Sequence, residues 1–179
     1  MNTGTPATAS SLLPAADLRS LCEGDTEAFL SARLGGAIDA NLDWRGSALE
    51  CDGGPRPDGH GLRASFAGEL PSPGNAAPRR LRFIFGIDLN DTAPGKAQAL
   101  PTNLTVILEG EKTLYSTRGD ERCASQITAR EPAPAAGKNL ERIAVRGYCL
   151  APAEPISGGP GLLAATFEFI GIIRTGEDP

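Results

Sequence analysis

The sequence predicts a mainly β protein, an antiparallel β-sandwich of about seven or eight strands, with an open β-barrel as the runner-up. Two observations carry that expectation. Several runs alternate apolar and polar side chains, the pattern of a strand with one buried face. Between them fall most of the 22 Gly and 15 Pro of the 179 residues, where a chain of short strands needs its turns. A chain of this length fits one domain. Residues 1–13 read as a flexible Thr/Ser/Pro-rich tether, 14–36 as a short N-terminal helical segment packed on the sheet, and 37–175 as the β domain.

The elements follow in order. Leu18, Leu21 and Cys22 recur at i, i+3, i+4, the spacing of one helix face, and Phe29, Leu30 and Leu34 resume it after Gly24. Asp25 or Thr26 is placed to cap the second piece. Ile38, Ala40, Leu42 and Trp44 then alternate with Asp39, Asn41, Asp43 and Arg45, and the strand is expected to run through a bulge at Gly46 to Cys51. After the turn-rich loop 52–61, Leu62, Ala64, Phe66, Gly68 and Leu70 give the second arm of a hairpin.

Leu81, Phe83, Phe85, Ile87 and Leu89 form the clearest strand, and Leu104, Val106 and Leu108 face inward from the next. The segment TLYSTRG follows a turn at Gly110. Ser125 and Ile127 continue one face from Cys123, and Ile143, Val145, Gly147 and Cys149 define another strand. The last, LLAATFEFIGIIRT, is expected to bury Leu163, Ala165, Phe167 and Phe169, and its apolar end at 170–173 reads as buried on both faces.

Cys22, Cys51, Cys123 and Cys149 include no CxxC and no paired histidines, so they read as disulfides rather than a zinc site. Three pairings exist; Cys22 with Cys51 and Cys123 with Cys149 is preferred, because each closes a local loop. Disulfides persist in oxidising compartments, which places the chain in the periplasm or outside the cell. The excess of Arg over Lys and the frequent Ala suggest a bacterial source. The expectation is then a removed signal sequence, and a lipid anchor in the native precursor is compatible with the small, polar residues 2–11.

A net charge of -5 gives no basic footprint for nucleic acid. No run of 18 or so apolar residues marks a transmembrane segment. Nucleotide-binding and GxSxG patterns are absent. The single histidine, His60, lies in a Gly-rich loop and reads as exposed rather than catalytic. Asp39, Asp43, Asp88 and Glu168 occupy the polar phase of strands, where a carboxylate pair for hydrolysis is a weak reading; of the aromatics suited to stacking on sugars, Trp44 sits on the core phase, leaving Tyr115 and Tyr148. Asp52 and Asp58, and Asp88 with Asn90 and Asp91, carry calcium-type oxygens without EF-hand spacing, and turn chemistry explains them. Arg118-Gly119-Asp120 reads as a turn, and the sequons at Asn90 and Asn103 as incidental.

The surface feature that remains is Arg63, Arg82, Arg142 and Arg146, all on the outward phase of strands. On one sheet they would form a cationic binding face; otherwise they make cross-strand ion pairs. No catalytic residue, cofactor or metal is expected. The favoured function is a non-catalytic secreted or periplasmic bacterial envelope domain that binds a protein or envelope polymer. The alternative is a carrier holding a small apolar ligand or lipid between Phe83, Phe85, Phe167 and Phe169, and the weakest is a small hydrolase.

Overall fold

The computed structural model describes residues 20–89 and 98–176. Eleven strands among them form one antiparallel sheet: β1 (Phe29–Gly36), β2 (Ala40–Arg45), β3 (Glu50–Pro55), β4 (Gly61–Leu70), β5 (Arg79–Asp88), β6 (Leu100–Glu109), β7 (Thr113–Ser116), β8 (Cys123–Pro132), β9 (Leu140–Cys149), β10 (Glu154–Pro155) and β11 (Leu162–Arg174). The spatial order is β2-β1-β11-β9-β8-β6-β5-β4-β3, with β7 paired to β6 and β10 to β7. This is a meander of hairpins from β3 to β9, to which β11 and then the β1–β2 hairpin are added.

The sheet curls into an open half-barrel rather than separating into the two layers of a sandwich, so the barrel alternative is the nearer one. Its two ends, β2 and β3, are not hydrogen-bonded to each other. The curl brings them close all the same. β3 packs on β11, and β2 approaches β4. We call this junction the seam.

Three sequence expectations are corrected. The segment 14–36 is not helical where it is described: residues 20–28 are turns, bends and irregular chain, and 29–36 is strand β1, while 14–19 lie outside the described residues. Leu30, Ala32 and Leu34 are buried with period two between β2 and β11, and that pairing overrides the weak helical spacing that Gly24 already interrupts at φ 79°. Secondly, the run from Ile38 to Cys51 is not one bulged strand. A 3₁₀ turn over Gly46–Ala48 splits it, and its halves become opposite ends of the sheet.

Thirdly, β11 buries Leu162 and Ala164 instead of Leu163 and Ala165 before returning to Phe167 and Phe169. Arg33 pairs with Thr166 but Leu34 with Ala164, so Ala165 is an extra residue that reverses the in-out phase. The end of β11 is buried on both faces as expected, Ile172 and Ile173 being 0% and 2% exposed.

The concave side holds the core. Phe66, Phe83, Phe85, Phe167 and Phe169 lie in ring contact, with centroids 4.6–6.3 Å apart. Trp44 of β2 closes the seam over it: its ring meets Phe83 edge-on, and its Nε1 donates to the Glu69 carbonyl of β4 at 2.9 Å. Gly68 lies directly beneath the indole, where a Cβ would collide with the ring. A glycine is required there for close approach.

Candidate binding groove

The two disulfides set the frame. Cys22 is bonded to Cys51 and Cys123 to Cys149, and no described cysteine is free. Cys123 and Cys149 are directly opposed in the β8–β9 ladder, whereas Cys22–Cys51 ties the chain ahead of β1 to β3 across the seam. At this junction the Leu21 N–H also donates to the Cys51 carbonyl at 2.8 Å, and the Cys51 N–H to Ser20 Oγ at 2.9 Å.

The convex face of β1, β11, β9 and β8 carries a groove of about 470 Å³, walled on one side by Gln98 and Ala99 as the chain enters β6. That volume falls within the range of about 300–1,000 Å³ common for small-ligand sites. Register builds it. Ser31 pairs with Glu168, Glu168 with Arg146, and Arg146 with Gln126, so one row of polar side chains crosses four strands. The next row on that face is Thr166, Tyr148 and Ala124. Between the rows Gly147 has no side chain, and the Phe167 ring fills the space its Cβ would take.

Arg146 is held in place, since its Nε and Nη2 both donate to Gln126 Oε1, at 2.9 and 2.8 Å. The carboxylate of Glu168, its neighbour across the ladder, makes no hydrogen bond or ion pair with any described residue. Tyr148 is 43% exposed, high for a large aromatic side chain. The groove thus presents a fixed donor, an unengaged acceptor and an aromatic ring around small residues.

The other three arginines lie elsewhere. Arg63 and Arg82 are on the adjacent strands β4 and β5, three strand positions or more from β9. Arg82 is committed to Glu109 at 2.6 Å and to Ser65 Oγ at 3.1 Å, with Glu50 at 3.7 Å. Arg142 is on β9 with Arg146 but pairs with Asp25, Glu27 and Glu131. Burial raises the Asp25 carboxyl, but the Arg142 hydrogen bond and the N–H groups of Glu27 and Ala28 outweigh it and hold Asp25 below its usual range. The register therefore joins Arg146 to Glu168 and Gln126, not to Arg63 and Arg82.

His60 is exposed, and its backbone N–H donates to Asp58. That bond, together with Arg56, lowers the Asp58 carboxyl. Asp120 is fully occupied: Asn103 Nδ2 donates to one oxygen at 2.8 Å and Arg56 Nη1 to the other at 3.2 Å, while Arg118 faces Glu154. Neither the Arg-Gly-Asp carboxylate nor the Asn103 amide is thereby left without a partner. Asp43 pairs with Arg45, and Asp52 with Arg174. Asn90 and Asp91 lie outside the described residues. No metal-ligating cluster occurs among those described, and no described helix is long and apolar enough to cross a membrane.

These features define a disulfide-stapled, mainly β domain in which the described residues form no catalytic metal cluster. Compared with known proteins, the chain matches no family model, no curated protein and no solved structure.

Proposed function

We propose that the chain is a non-catalytic binding domain of an oxidising compartment, periplasmic or extracellular, that takes a small ligand in the outer groove. The groove itself carries the reading: about 470 Å³ with a held guanidinium, an unengaged carboxylate and an exposed aromatic ring brought together by register alone. The two disulfides support the compartment. This is a carrier or receptor of a small ligand, but its seat is not the space between Phe83, Phe85, Phe167 and Phe169, whose rings already pack on one another.

A second reading, docking of a protein or envelope polymer, is favoured by Leu150 and Ile156, which are 81% and 68% exposed. The test of the first is ligand-observed NMR with a small-molecule fragment library on the wild type and on Ala124→Trp, which fills the groove from its floor. A subset of fragments should bind the wild type and lose binding to the variant. A library in which no fragment distinguishes the two proteins overturns the groove as a site.

A further inference from the structure

We infer that the ligand of the groove is a neutral carbohydrate, one or two sugar rings of a free or polymer-borne glycan; the inference rests on the binding reading above and names its ligand class. The charges in the groove argue first. Among the described residues, Arg146 and Glu168 are the only charged side chains lining it, and their formal charges cancel. That described lining makes no net demand for an ion.

The hydrogen-bonding groups argue second. Arg146, anchored through two bonds to Gln126, keeps guanidinium N–H groups for a ligand. Glu168 offers two acceptor oxygens with no partner of their own among the described residues. A vicinal diol answers both, because each hydroxyl donates one hydrogen bond and accepts others. An alkyl chain laid along the same row would cover the carboxylate and guanidinium without satisfying either, at a desolvation cost. A fatty-acid tail is therefore disfavoured at this site.

Tyr148 argues third. Its cross-strand neighbours on the same face are Thr166 and Ala124, both small, so its ring stands 43% exposed beside the polar row. A pyranose has an apolar C–H face and a polar hydroxyl rim. A tyrosine ring next to a row of amide, guanidinium and carboxylate groups matches that division, the ring taking the apolar face and the row taking the rim.

The test uses the full ¹⁵N-labelled chain and follows the amides of Gln126, Arg146, Tyr148 and Glu168. The probes are trisaccharides of glucose and of N-acetylglucosamine, with octanoate and glycylglycine as the amphiphilic and zwitterionic comparators. A trisaccharide should shift these amides with a Kd of about 1 mM or tighter. Tyr148→Ala and Glu168→Gln should each weaken that binding at least about tenfold, and both should fold, since both side chains are exposed. Octanoate or glycylglycine shifting these amides while neither trisaccharide does would overturn the carbohydrate assignment and leave the groove a binding site. No shift with any probe would overturn the carbohydrate assignment too, and the fragment screen then decides whether the binding reading falls with it.

Discussion

The two disulfides close loops of nearly equal length, with sequence separations of 29 and 26, yet they hold two very different regions. Around Cys123–Cys149 the β8–β9 ladder runs from Cys123 to Pro132, with β11 and β6 on either side. The bond there restates contacts that backbone hydrogen bonding already makes. Around Cys22–Cys51 no ladder joins the two ends of the sheet. The seam depends on a few contacts: the disulfide with the Leu21 and Ser20 bonds to Cys51 beside it, Trp44 on Glu69, Arg174 with Asp52, and Gly53 packed under Ile173. The lesson is that loop length does not measure what a cross-link contributes to the native state. What matters is how many other interactions join the same two pieces.

The sharpest way to break the comparison is Trp44→Ala. Removing a buried indole costs about 3–5 kcal/mol, and here it also opens the seam. Urea denaturation should show that loss, with hydrogen exchange accelerated first in β2, β3 and the end of β11. Protection lost evenly through the sheet instead would mean that the seam is no separate unit.

Next come the disulfides. Replacing Cys22 and Cys51 by Ser, and in a separate variant Cys123 and Cys149, should each cost about 3–4 kcal/mol from loop entropy alone. The seam variant should lose more than the ladder variant, compared as unfolding free energies from urea curves, because loss of a cross-link also expands the denatured chain and changes the slope. Equal losses, or a larger one for the ladder, would refute the argument from redundancy.

The smallest effect is on pH. Asp25 stands ahead of β1, is held by Arg142 of β9, and has a carboxyl depressed below 3.8 in the folded state. Its contribution is therefore present above that value and lost as pH falls through the lower folded value. Asp25→Asn should be less stable than wild type near neutrality, and the two should converge in strong acid. Urea midpoints from pH 7 down to pH 2 would check this; a gap that stays constant would remove Asp25 from acid sensitivity.

Much of the ladder was legible in the residues. β5 and β6 show the clearest alternation, β4 also burying Ser65 and Ala67 on its other face, and each hairpin register keeps Phe66, Phe83, Phe85 and Leu104 on one face. Both cysteine pairings were legible too, because each closes a local loop. What was not legible depends on distant partners. β1 reads as helix because Phe29, Leu30 and Leu34 at helical spacing look alike in both states until β11 is placed beside them. The Ala165 bulge is visible only against Arg33 and Leu34 across the ladder. The groove is hidden for the same reason: Arg146, Glu168 and Tyr148 each suggest a separate chemistry in the sequence, and only the β8–β9–β11 register puts them together.

The place of β1 between β2 and β11 has a further consequence, for the order of folding. Its partner β11 is the last of the described strands, so Phe29 must wait for Ile170, far along the sequence. The hairpins from β3 to β9 are local and can form early, whereas the β1–β2 hairpin can dock only after β11 is in place. Until then Leu30, Ala32, Leu42 and Trp44, all buried in the folded sheet, have no core to enter.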